Sequence, residues 1–167
     1  MRRLFAATLV AGSVALTPAT SSSAARSEQV VPLRVQKSNR AAVKPFLAYV
    51  PVSVPRDYRY LRWLRSRSAP LGLSIEFAWR TDRDPQLIFN VQDARRCPEI
   101  GRPMAVFRFG TIKVNWSTTY EDSQAWRCVS RSNRKTFFIV SAPGNGSEKG
   151  PSGRALARMI GTAQLIR

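Results

Sequence analysis

Two features of this sequence could carry chemistry or binding: a pair of cysteines, and a short run that mixes arginines with aromatic residues. The cysteines are Cys97 and Cys128, and the run covers residues 56–67. Histidine is absent, which removes the commonest general base, the usual serine and cysteine triads and the commonest zinc ligand. These residue types favour a binding or structural protein over an enzyme. They give no reason to expect a metal, a nucleotide or another cofactor.

Residues 1–25 have the order of a cleavable secretory signal peptide. Arg2 and Arg3 form a positive head, residues 4–16 form an apolar run, and small residues precede Ala25. The apolar run is shorter than the roughly 20 residues that a membrane-spanning helix needs, although an uncleaved N-terminal anchor is the alternative. Neither cysteine lies near the predicted cleavage site at Ala25, so no lipid anchor is expected. The sequence predicts a secreted or extracytoplasmic protein.

In an exported domain of this size, Cys97 and Cys128 are expected to form a disulfide bond. They do not have C-x-x-C spacing, and no histidine can activate a thiolate, so a redox or nucleophilic role has little support. Closing the loop between them would stabilise the fold by about 3 to 4 kcal/mol on a chain-entropy basis.

The net charge is +17, and it becomes +15 without the signal segment, which holds two of the 27 basic residues and no acidic one. A field of this strength attracts polyanions. The expected partners are an acidic envelope polymer, an anionic membrane surface or another exported protein, and nucleic acid is not expected in vivo. Arginine also outnumbers lysine 22 to 5, a bias that a GC-rich genome produces without selection for binding.

The run at residues 56–67 is the strongest candidate binding site in the sequence. Its tyrosine and tryptophan rings could stack on bases or sugars, while its arginines could pair with phosphate or carboxylate groups. The candidate contacts are Arg59, Tyr60, Arg62, Trp63, Arg65 and Arg67. The alternative is that the aromatic side chains belong to the core and that the arginines form its solvated face.

Two other functions remain open at this point. A hydrolase would need a pair of carboxylates, drawn from Glu76, Asp82, Asp84, Asp93, Glu99, Glu121 and Asp122. A partner-docking domain would instead present an exposed apolar patch.

Hydrophobic patterning predicts a sheet-rich domain that ends in a helix. Residues 71–79 alternate strictly and indicate a strand with one buried face. Further short strands are predicted at residues 86–91, 124–130 and 136–141, with an edge or extended segment at residues 46–54. Apolar residues at helical spacing predict a helix over residues 154–166, and Ser152 suits its N-cap.

The clearest local pattern lies at residues 104–117. Apolar side chains alternate on both sides of Gly110-Thr111. In a hairpin with a two-residue turn, Phe109 faces Ile112, so the apolar side chains of both strands share one face. Arg108 and Lys113 then point to the other face.

These elements predict an α+β fold: an antiparallel sheet of six or seven strands, in a simple meander, with a C-terminal helix on its apolar face. Residues 56–67 fit a strand better than the alternative, a basic amphipathic helix. Residues 26–45 show no sustained period and are expected to be a flexible basic lead-in. Residues 46–167 would then form a single domain closed by the disulfide.

Two short motifs carry a resemblance to a group of proteins. They are Val114-Asn115-Trp116-Ser117 and Ala125-Trp126-Arg127-Cys128-Val129. Over residues 58–166 the chain resembles small exported actinobacterial proteins of unknown function, which share a Trp-Ser strand end, a later Trp-Arg-Cys-Val, an upstream cysteine and a C-terminal helix. The resemblance implies export, a disulfide and the fold, and it implies no activity or substrate.

Overall fold

The computed structural model describes residues 30–44, 47–66, 71–131, 133–144 and 150–166. The predicted signal segment, residues 1–25, and the candidate contact Arg67 lie outside these residues. No helix in the described part is long and apolar enough to cross a membrane.

The described chain forms two helices and nine strands, and seven of the strands make one antiparallel sheet. In chain order the elements are α1 (Leu33–Ala42), β1 (Tyr49–Val50), β2 (Tyr58–Ser66), β3 (Gly72–Trp79), β4 (Leu87–Ala94), β5 (Ala105–Phe109), β6 (Ile112–Thr118), β7 (Asp122–Arg131), β8 (Arg134–Pro143), α2 (Gly153–Gly161) and β9 (Gln164–Leu165). This confirms the α+β class, with a seven-stranded antiparallel sheet and a C-terminal helix packed on it.

The strand order in the large sheet is β2-β3-β4-β8-β7-β6-β5, and β1 pairs separately with β9. Hairpins join β2 to β4 in one run and β5 to β8 in another. A single meander was expected, but β4 pairs with β8, and residues 95–104 therefore cross from the middle of the sheet to its far edge. Local patterning predicts neighbouring hairpins but carries no signal for a pairing between distant strands.

One face of the sheet builds the hydrophobic core, and we call it the core face. Register places Ile75, Phe89, Val140 and Ala125 side by side on it across β3, β4, β8 and β7. All four are essentially inaccessible to solvent. Helix α2 covers the β5–β8 half of this face, and residues near α1 and β1 join the same core, including Val31, Leu47 and Val50.

The β5–β6 hairpin forms as predicted, including its register. Phe109 pairs with Ile112 and Arg108 pairs with Lys113. Gly110 has a φ of 61°, which glycine adopts without steric cost. The local alternation and the turn residue together fix this unit.

Helix α1 lies where the sequence predicted a lead-in without regular structure. Tertiary contacts, not an apolar stripe, hold it in place. The Arg65 guanidinium of β2 donates to the carbonyl of Ala42, and Val35 packs against the core. Gln36 is buried, and its Nε2 donates locally to the carbonyl of Val31 at 2.8 Å. Residues 31–42 are therefore packed on the domain. A period-based interpretation misses such a helix because its buried residues are polar.

Candidate functional site

Residues 58–66 form strand β2, which confirms the strand interpretation over the amphipathic helix. Tyr60 pairs with Phe77 and Trp63 pairs with Ile75, so both aromatic side chains lie on the core face. The ring of Tyr60 meets Phe77 edge-on, with centroids 6.4 Å apart. Tyr60 and Trp63 are only partly exposed and pack against the core. Their rings support the fold, and the structure does not present them together as an open stacking platform.

The arginines of β2 divide between the two faces. Arg59 and Arg62 point away from the core face, because their register partners are Ala78 and Glu76. Arg59 donates through Nη2 to the carbonyl of Asp82 at 3.0 Å. Arg65 lies across from Leu73 on the core-face side. The structure thus places the predicted arginines and aromatics largely on opposite sides of one strand, the arrangement expected if the aromatics are core.

Arg62 has its own counter-charge. Its Nε donates to Oε2 of Glu76 at 2.6 Å, and the carboxylate side chain is 8% exposed against 58% for the arginine. Glu76 and Ala78 are both buried, so the prediction of a single buried face on β3 is wrong at these positions. The reach of Arg62 from the neighbouring strand allows Glu76 to be buried, because a paired carboxylate avoids the desolvation cost of a lone one.

Two tyrosines of β2 have perturbed acidity. Burial, reinforced by the nearby charges of Asp57 and Asp82, raises the pKa of Tyr58 to about 12. Burial also raises the pKa of Tyr60, and the positive charge of Arg34 opposes this shift. Both phenols are therefore neutral in the physiological range.

A second cationic site lies between the segment before β2 and the first two turns of α2. The two elements border an open cavity of about 330 Å³. Its lining residues are Ser53, Val54, Pro55, Arg56, Ser152, Arg154, Ala155 and Arg158. We call this cavity the arginine cleft. Arg56, Arg154 and Arg158 are exposed, and none has a side-chain hydrogen bond or ion pair within the described residues.

Only part of the arginine cleft has a signal in the sequence. Arg154 and Arg158 are four residues apart within a predicted helix, so they share one helix face. This spacing is the signal in the sequence, and it lies beside the apolar stripe of the same helix. The approach of Arg56 depends on tertiary packing, which no local pattern reports.

Two further cavities are lined by described residues of the chain. One, of about 300 Å³, lies between the end of α1 and the β2–β3 connection and includes Arg65 and Leu71 in its lining. The other, of about 240 Å³, lies between the sheet and the end of α2 and includes Arg127 and Thr136. None of these three cavities is lined by an aspartate or glutamate.

Cys97 and Cys128 form a disulfide, with Cα atoms 5.8 Å apart, which confirms the prediction. Cys128 pairs with Phe137 on the face opposite the core face, so the bond fastens the crossing connection to the sheet there. Trp126 shares this face and is 6% exposed. Disulfides are typical of proteins that fold in an oxidising, extracytoplasmic compartment.

The described residues therefore offer cationic binding groups and a disulfide. They contain no cluster of three or more histidine, cysteine, aspartate or glutamate side chains that could hold a metal ion. Comparison of the chain with family models, with curated proteins and with solved structures gives no match.

Proposed function

We propose that this chain is an exported, non-enzymatic binding domain whose cationic surface holds an acidic polymer of the cell envelope. The observation that carries the proposal is the number of exposed cations that have no side-chain hydrogen bond or ion pair within the described residues. These are Arg34, Lys37, Arg40, Arg56, Arg80, Arg83, Arg95, Arg96, Arg102, Arg108, Lys113, Arg154 and Arg158. Cations without carboxylate partners produce a positive field that attracts polyanions.

Export is part of this proposal. The charge and hydrophobic order of residues 1–25 support a signal peptide cleaved near Ala25. The disulfide between Cys97 and Cys128 also supports an oxidising destination. Mass determination of the exported protein should give a chain that begins near Arg26. A chain that keeps residues 1–25 and stays in the membrane fraction would contradict the proposal.

Among the β2 arginines, Arg59 and Arg65 are the better candidate contacts. The charge of Arg62 is compensated by Glu76 at 2.6 Å, whereas Arg59 and Arg65 donate only to neutral backbone carbonyls. Each keeps its full positive charge and further donors for a polymer phosphate or carboxylate. Arg67 stays in the proposal as a candidate contact from the sequence alone.

The test measures retention of the purified protein on immobilised polyphosphate and on immobilised polyglutamate at increasing salt. The double variant Arg59→Gln/Arg65→Gln should elute at lower salt than the wild type. It leaves Arg62 in place because removing that arginine would strand the buried carboxylate of Glu76. A comparison variant of equal charge, Arg95→Gln/Arg96→Gln, removes two other exposed cations, which lie on the crossing connection.

The outcomes separate the parts of the proposal. If the elution salt falls more for the β2 variant than for the Arg95→Gln/Arg96→Gln variant, the result supports β2 as a contact surface. An equal fall for the two variants would overturn that location. Vesicles with anionic lipid, compared with neutral vesicles, form a third arm. Binding to anionic vesicles without retention on either polymer would overturn the polymer as the partner.

A further inference from the structure

We infer that the arginine cleft is a binding site for a phosphate monoester group. This inference rests on the proposed function, since it names a chemical group that the cationic surface would recognise. It also has its own evidence in the cleft geometry and in the charges that line it.

The fold brings three arginines from two distant parts of the chain to the lining of one cavity. Arg56 comes from the segment that leads into β2, while Arg154 and Arg158 come from successive turns of α2. All three line the same cavity of about 330 Å³. Ligand pockets begin at about 300 Å³, so the space suits a phosphate with a small attached group.

The charge arrangement is unfavourable without an anion. Arg154 and Arg158 are like charges at a spacing of four residues, which destabilises a helix. The first turn of α2 contains no acidic residue, and a cation there opposes the helix dipole. Asp57 follows Arg56 in the sequence but does not line the cavity. A bound dianion would offset the repulsion among the three arginines.

The chemistry of the lining favours phosphate. Arginine presents a planar fork of donors that matches phosphate oxygens, and its charge does not titrate in the physiological range. A phosphate monoester carries close to two negative charges at pH 7, so it compensates three guanidinium groups better than one carboxylate does. The hydroxyl of Ser152 accepts from the backbone N–H of Ala155 at 3.3 Å, which leaves its O–H free to donate to the ligand.

The test uses glycerol phosphate as the probe, with binding measured by calorimetry and by the shift in melting temperature. Arg158→Gln should weaken binding at least about tenfold, because one charge-assisted contact is lost. Arg108→Gln is the matched control, since it removes an exposed arginine from strand β5, outside the cleft lining. Without the probe, Arg154→Gln should melt no lower than the wild type, because it removes a cation from the first turn of α2, where the positive charge opposes the helix dipole.

A pH series gives an independent readout. A phosphate monoester takes its second charge near pH 6, so affinity should rise between about pH 5 and pH 7. The eight lining residues include no histidine, aspartate or glutamate. Sulfate is already dianionic there and should show no such rise. Its affinity should stay flat through the series.

The failure of this inference differs from failure of the proposed function. No binding of glycerol phosphate by the wild type, or equal weakening by Arg158→Gln and Arg108→Gln, would overturn the cleft. If the cleft fails either test but Arg158→Gln is still retained on polyphosphate, the proposed binding function of the general cationic surface would still hold. A competition experiment distinguishes a small phosphate monoester from a polymer as the source of the phosphate group. Polyphosphate should compete with glycerol phosphate if both bind in the cleft. Independent binding of both would overturn the cleft as the shared site.

Discussion

Replacing Gly153 with alanine should destabilise the protein through its contact with Trp116. A Cβ atom at Gly153 would lie 2.3 Å from Cε2 of the indole and 2.5 Å from Nε1, closer than real Cβ contacts. The ring or the start of α2 must therefore move. The indole Nε1 donates to Oγ of Ser123 at 3.0 Å, and Ser123 is buried, so the shift also threatens this hydrogen bond.

The magnitude follows from three contributions. Overpacking costs about 1 to 3 kcal/mol, and loss of the bond to the Ser123 hydroxyl adds about 0.5 to 1.5 kcal/mol. The better helix propensity of alanine returns at most about 1 kcal/mol. The free energy of unfolding should therefore fall by about 0.5 to 4.5 kcal/mol. For a domain of this size the melting temperature would drop by roughly 1 to 18 °C.

Chemical denaturation and thermal melting, followed by circular dichroism, measure this change. The double variant Gly153→Ala/Trp116→Leu provides the control, because leucine removes the ring that the new methyl group would strike. The double variant should lose less free energy of unfolding than the sum of the losses of the two single variants, by about 1 kcal/mol or more. A Gly153→Ala protein as stable as the wild type would refute the close packing of α2 on Trp116.

Three other predictions concern the disulfide and two buried polar side chains. Replacing Cys97 and Cys128 together by serine should lower the free energy of unfolding by about 3 to 4 kcal/mol, measured by urea denaturation, and an unchanged midpoint would contradict the bond. The pKa of Tyr58 is raised to about 12 from about 10 in the unfolded chain. The stabilisation that the neutral phenol gives the folded state is therefore complete below pH 10 and is lost as the pH rises to 12. Relative to Tyr58→Phe, the wild type should lose stability by about 1 to 2 kcal/mol across that interval, and parallel stability curves would count against the burial of this phenol. The amide of Asn39 is fully buried with no hydrogen-bond partner within the described residues, so Asn39→Leu should raise the free energy of unfolding by about 1 to 2 kcal/mol, whereas a fall would show that the amide is paired in solution.

The parts of the fold that sequence patterns predicted are the locally determined ones. The β5–β6 hairpin followed from alternation around Gly110, and the N-cap of α2 followed from Ser152, whose Oγ accepts from Ala155 N. Helix α1 and the pairing of β4 with β8 were missed, because contacts between distant residues decide both. The disulfide was predicted as a pair, but its role in fastening the crossing connection depends on that missed topology.

In the candidate site, too, the sequence predicts the local features but not those that depend on contacts between distant residues. Once residues 58–66 form a strand, alternation and the bulge between Tyr60 and Arg62 decide which side chains reach the core. The sequence allows the aromatic side chains to lie either in the core or on a binding surface, and it carries no signal for the position of the bulge. The arginine cleft needs Arg56 beside Arg154, and only the folded chain brings these residues together.

The most direct test of the cationic binding function is the salt dependence of affinity for a soluble acidic polymer, measured at several ionic strengths. With three or more cations engaged, the logarithm of the association constant should fall linearly with the logarithm of salt concentration, with a slope of about −2 or steeper. A slope near zero, or no measurable binding at low salt, would contradict a function based on the unpaired cations of this surface.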